Sequence, residues 1–153
     1  MTTIGIFVAV NLDAFAAPIE YVRADRVSPL YNRLRQSPNA VVVEFPFFPA
    51  DKTFHNAPYL LNATRNWRPM VNGYSGIVPP SYVDHARELS HFPDGRSIAA
   101  LKALGVTHVF VHDEDFRKWT GNESAEAVRH STDLHLLGTD EDVALYELVQ
   151  PSR

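Results

Sequence analysis

Glu44 stands near the end of Ala40-Val41-Val42-Val43-Glu44-Phe45-Pro46, where a run of β-branched residues stops. In open α/β sheets ligands gather beyond the carboxyl ends of strands, so a carboxylate there can act as a base or bind hydroxyls. Its structural alternative is a glutamate at the edge of the core, paired with a nearby arginine. His112 closes a second such run, Val106-Thr107-His108-Val109-Phe110-Val111-His112, and shares a face with His108 by the period of two. His55 follows the first run. Glu44 with His55 or with His112 is therefore the acid–base pairing this chain offers to a hydrolase-type reaction. His112-Asp113-Glu114-Asp115 also gathers metal-ligand types. Its spacing matches no specific site, and acidic residues opening a helix complement the helix dipole. No metal or cofactor is expected.

A different chemistry is concentrated between Arg65 and Pro80. This stretch has neither helical nor strand period, which marks a shaped loop. Trp67 and Tyr74 offer flat apolar faces with polar edges, Arg65 and Arg68 offer forked donors, and Asn72 and Ser75 hydrogen-bond in both directions. Such groups suit a sugar, whose C–H faces stack on aromatics, or a phosphate, which arginine grips bidentately. The structural alternative has the arginines tied to backbone carbonyls, Trp67 plugging a satellite core, and Gly73 and Gly76 supplying positive φ.

Other motifs are missing. Gly73-Tyr74-Ser75-Gly76 lacks the spacing of a nucleophile elbow and has no strand leading into it. No dinucleotide or Walker fingerprint is present. Asn62-Ala63-Thr64 and Asn122-Glu123-Ser124 match the glycosylation triplet, a pattern common by chance. The 153 residues carry a net charge of −4 without a basic run, which argues against nucleic acid as a partner. Cysteine is absent, removing disulfides and thiol chemistry together without reporting a compartment.

The elements needed to position these groups can be read from period and punctuation. Residues 18–150 form a single α/β domain: a mixed sheet with parallel central strands, flanking helices and a C-terminal antiparallel hairpin. The two apolar runs are strands buried on both faces. Short Ile19–Arg23 alternates as a strand. Helices are predicted over Ser28–Gln36, within Asp51–Arg65 (Tyr59, Leu60 and Ala63 inward), and over Ser81–Leu89, Arg96–Gly105, Asp115–Trp119 and Ser124–His130. Leu134–Gly138 and Val143–Val149 pair across a turn at Thr139–Asp142. Residues 1–17 are an apolar stub, readable as an edge strand or as the end of a membrane helix. Asn11 and Asp13 interrupt it well short of a complete span.

The order of these features resembles a known family. Val41-Val42-Val43-Glu44-Phe45-Pro46, then Asn62 to Gly76 with its Trp67-Arg68-Pro69-Met70-Val71-Asn72-Gly73-Tyr74-Ser75-Gly76 run, then Phe92-Pro93-Asp94, then Leu101 to His112, is similar to the C-terminal soluble region of bacterial GT-C-like polytopic membrane glycosyltransferases, relatives of dolichyl-phosphate-mannose protein mannosyltransferases. The likeness spans about residues 15–149. It implies an extracytoplasmic location, on the periplasmic side, tethered to a membrane-embedded portion of a parent protein that is its partner. A carbohydrate or phosphate-containing ligand would then be recognised by the Arg65–Gly76 loop. The family's catalytic acid and lipid-linked sugar site belong to membrane-proximal loops upstream and have no counterpart in the matched motifs, so an accessory role without catalysis is expected. Two alternatives stand beside it: a free-standing small hydrolase using Glu44 with His55 or His112, and a structural protein-interaction module.

Overall fold

The protein's structure, a computed structural model, describes residues 26–150 together with Gly5, Val8, Asn11 and Leu12. Those four positions are helical and exposed. The rest of the 1–17 stub and the expected strand Ile19–Arg23 lie outside the described residues. Among the described residues no helix is long and apolar enough to cross a membrane.

Four strands form one mixed sheet: β1 (Val42–Phe45), β2 (His108–His112), β3 (Leu134–Asp140) and β4 (Val143–Leu148), in the order β1-β2-β4-β3. β1 and β2 run parallel, Glu44 opposite Phe110, and β4 pairs antiparallel with both β2 and β3. The hairpin turn is tighter than the expected Thr139–Asp142. β3 continues to Asp140, and Glu141 takes φ +52°, so two residues suffice to reverse the chain.

The period of two divides the strands between two cores. Val43 and Phe45 of β1, Val109 and Val111 of β2, and Ala144, Tyr146 and Leu148 of β4 face one side. They pack there against α3 (Pro80–Glu88), α4 (Gly95–Ala103), α5 (Asp113–Thr120) and α6 (Asn122–His130) through residues such as Leu89, Ile98, Leu101, Phe116 and Val128. Val42, Phe110 and Leu145 face the other side, against Leu30, Tyr31 and Leu34. These belong to α1 (Leu30–Arg33) and the 3₁₀ turn Leu34–Gln36 that extends it. α1 can sit this close to β3 because position 138 is glycine. A Cβ there would lie 2.9 Å from Arg33 Nη1 and 3.3 Å from Leu30 Cδ2.

The helix predicted within Asp51–Arg65 is split into a 3₁₀ segment, Ala50–Asn56, and α2, Ala57–Ala63. The change of pitch resets the phase of the buried face. Tyr59 is buried as expected, whereas Leu60 and Ala63 are only half-buried. Pro58 in the first turn of α2 suits a helix start. Asp94 caps α4 by accepting the Ser97 N–H at 2.8 Å, a bond that holds its carboxyl below the usual range.

β1 is the edge of the sheet, and an unpaired edge is a hazard. The segment after α2 closes it. Val42 N–H donates to Pro69 O and Val71 N–H donates to Val42 O, both at 2.9 Å. Beyond them Asn72 imitates a strand neighbour. Its Oδ1 accepts the Glu44 N–H at 2.7 Å and its Nδ2 donates to the Glu44 carbonyl at 2.9 Å. With both residues buried, Asn72→Ala leaves a backbone donor and acceptor unsatisfied and should cost roughly 2–3 kcal/mol in urea denaturation. A loss below about 0.5 kcal/mol would show that water replaces the amide without penalty.

Candidate functional site

Parallel pairing brings Glu44 and His112 to the same face near the carboxyl ends of β1 and β2, Glu44 one residue before and His112 one residue beyond the Phe45–Val111 pair. His112 Nε2 lies 2.8 Å from Glu44 Oε2. α1 contributes the third member. Tyr31 stacks on Phe110 with centroids 4.1 Å apart, and its hydroxyl donates to the same Glu44 oxygen at 2.6 Å. Asn62 of α2 donates in turn to the Tyr31 hydroxyl at 3.3 Å. Glu44 Oε1 is buried without a partner among the described residues.

Burial pushes the Glu44 carboxyl upward, while the hydrogen bond and charge of His112 and the Tyr31 hydroxyl pull it back down. We take the net direction as upward, because the side chain has no exposed surface. The Tyr31 hydroxyl is held up by burial first and then by the neighbouring Glu44. His112 makes no hydrogen bond through Nδ1 to a described residue. An imidazole oriented at one nitrogen by a carboxylate, with the other nitrogen available, has the arrangement of a general base.

Tyr31 and His112 form the floor of a cleft of ≈ 720 Å³. One wall is a column of rings. His112 stacks on Tyr59 (4.7 Å), Tyr59 on Phe48 (6.0 Å) and Phe48 on His55 (4.9 Å), and Phe54 leans on His55 at 4.1 Å. The same cleft is lined by Asp115 of α5, by Asp140, Glu141 and Asp142 at the β3–β4 turn, and by Arg26. Asp142 is fixed by accepting the Glu114 N–H at 2.6 Å, which caps the start of α5.

Of the pairings read from sequence, Glu44 with His112 is brought together and Glu44 with His55 is not. His55 lies in the cleft, sandwiched between rings and without a bond to the carboxylate. His108 shares the His112 face as expected but bonds to Thr107 at the far end of β2, away from the cleft. In the His112–Asp115 run, Asp113 is held by Arg117 and Arg129, and Glu114 by Lys118. Among the described residues no group of three acidic, histidine or cysteine side chains is placed to hold a metal ion.

The Arg65–Gly76 loop divides between two jobs. Arg68 spends its guanidinium on the carbonyls of Leu34, Arg35 and Pro38, and Asn72 serves the backbone of β1. Ser75 Oγ folds back on Ile77. Arg65 is exposed, Tyr74 is 49% exposed and Trp67 is 80% exposed. Tyr74 and Ser75 border a second cleft of ≈ 420 Å³ with Tyr82 and His85. Tyr31, Tyr59, Asn62 and Asp142 were not read from the sequence as site residues, although Tyr59 was expected to face inward. Tyr31 had a usable signal, since it adjoins Leu30 in the apolar stripe of a predicted helix. The others depend on contacts between distant segments.

Comparison with protein-family models, with curated proteins and with solved structures returned no match.

Two outcomes test this description. Glu44, raised by burial, favours the folded state while protonated. That contribution is full below the ordinary glutamate value of about 4.3 and is lost as pH rises through the folded value. The urea midpoint of the wild type should therefore fall relative to Glu44→Gln as pH rises above the ordinary glutamate range; a constant or rising difference contradicts the assignment. Trp67 has φ +56° and closes the end of α2 through its N–H to Ala63 O at 2.8 Å, in the place where helices favour glycine. With its indole in solvent, Trp67→Gly should raise stability by about 1 kcal/mol, and a loss of stability would mean that the ring packs after all.

Proposed function

We propose that this chain is an extracytoplasmic recognition domain of a membrane glycosyltransferase-like protein, with the cleft above Tyr31, Glu44 and His112 as its ligand site. The observation that carries the reading is that aromatic rings and four carboxylates line one cleft of ≈ 720 Å³. That volume falls in the roughly 300–1,000 Å³ range of small-molecule sites. Apolar rings and hydrogen-bond acceptors in one cleft match the two needs of a sugar, whose C–H face avoids water and whose hydroxyls need acceptors. The family resemblance supports both a carbohydrate ligand and a tether to a membrane-embedded partner. The acidic wall disfavours the phosphate-containing alternative. Sugar transfer itself is assigned to the parent protein, because the resemblance carries no catalytic residue onto this chain.

A second reading is favoured by one observation, the 2.8 Å contact between Glu44 and His112, which lines the cleft. Under it the domain performs acid–base chemistry by itself. Turnover of an activated nitrophenyl glycoside that disappears in His112→Gln would favour this reading; turnover no faster than in buffer would end it.

The recognition reading is tested by titrating the labelled full chain with neutral monosaccharides and following amide shifts. Perturbations should gather at Phe48, Phe54, His55 and Asp142. Phe54 is half-exposed, so Phe54→Ala should weaken binding about fivefold while changing stability by less than about 0.5 kcal/mol. Shifts confined to the second cleft beside Tyr74 and Ser75 would relocate the site to the loop. Absence of shifts at any accessible concentration would reject the reading.

A further inference from the structure

The charge of the main cleft exceeds what a neutral sugar requires. Asp115, Asp140, Glu141 and Asp142 line it, and among the described residues Arg26 is the one Lys or Arg side chain in the lining. Arg26 is shared between Asp140 at 3.7 Å and Glu141 at 3.5 Å. Asp115 has Lys118 at 3.8 Å on an exposed surface, a pairing of little worth in water. Asp142 forms no salt bridge with a described residue, and burial pushes its carboxyl upward. These acids come from two separate elements, so their convergence on one space is a product of the fold and not of a local acidic run.

The rings that line the same cleft strengthen their effect. A cleft lined by charge of one sign and bounded by low-dielectric material focuses the field into the space between. The ring column supplies such material. Tyr59 registers the result: its hydroxyl is held up by burial, then by Glu44 and Asp115, with Asp142 adding to them. Glu44, which does not line the cleft, keeps a fully buried oxygen without a partner among the described residues. The acids are distributed around the rim rather than gathered on a point, and among the described residues no three of them are placed to hold a metal ion. A cation that suits this shape is larger and carries its charge at the end of an apolar body.

We infer that the cleft selects a carbohydrate bearing a protonated amine, with the ammonium held between Asp115 and Asp142 and the sugar ring against the half-exposed Phe54 at the end of the ring column. This rests on the cleft being the ligand site as argued above. Glucose and glucosamine differ by the amine alone and serve as the probes.

At about pH 6, where the amine is protonated, glucosamine should bind the full chain about tenfold more tightly than glucose, with the same cleft amides shifting. The preference should shrink in about 0.5 M salt. It should vanish in the Asp115→Asn, Asp142→Asn double variant, in which asparagine at 142 retains an oxygen to cap α5. Far-ultraviolet dichroism and a urea midpoint establish that the variant is folded. Equal affinities for the two sugars at the cleft overturn the charge selection and leave the recognition reading standing. Failure of both to bind overturns both. A glucosamine preference that persists in the double variant places the ammonium elsewhere and overturns the assignment of Asp115 and Asp142.

Discussion

Glu44 must be held by its backbone and by its side chain before either face of β1 can be closed. Its N–H and C=O point to the sheet edge, where Asn72 meets both. Its carboxyl points away from the larger core, where Tyr31 and His112 share one oxygen. A buried carboxyl without such partners would cost several kcal/mol. Each partner is delivered by a different part of the fold. Tyr31 comes from α1, His112 from the far end of β2, and Asn72 from the irregular segment after α2. The position of the glutamate therefore ties together pieces that share no local sequence.

The same tie explains why the cleft opens where it does. α1 is anchored over β2 by the Tyr31–Phe110 stack and over β3 by the closeness that Gly138 permits. α2 is anchored by Tyr59 against His112 and by Asn62 on Tyr31. The β3–β4 turn is held to the start of α5 by Asp142, through its side chain to Glu114 and its carbonyl to Asp113. These rigid supports leave a gap above the floor, lined by groups whose own hydrogen bonds are mostly elsewhere. The larger core on the opposite face, with Phe45 stacked on Phe92 at 3.9 Å, provides the stiffness beneath them.

Trp67 illustrates a different balance. A bulky residue at positive φ is a local cost, and burial does not offset it here because the indole is in solvent. Its neighbours Asn66 and Arg68 are committed to α1 through the carbonyls of Tyr31 and Leu34. The loop that looked like one recognition surface is thus a structural clasp with exposed aromatics set on it. Composition could not separate the two roles, because the same arginine or asparagine serves a backbone carbonyl as readily as a ligand.

Much of the fold was legible in the chain itself. Continuous β-branched runs marked β1 and β2, helical spacing marked α3 to α6, and Gly105 and the acidic turn marked where elements end, because these signals act over a few residues and are set by local sterics and solvent. Glu44 and His112 were legible as candidates from their places at strand ends. Their pairing was not. It depends on the parallel register of β1 with β2, and register is decided by the packing of both faces together. Tyr31, Tyr59 and Asp142 entered the site the same way. Residue types and periods determined which elements could exist and which side chains could do chemistry. The tertiary structure decided which of them meet, since a hydrogen bond or a stack forms only where distant segments are brought within a few ångströms and kept from water.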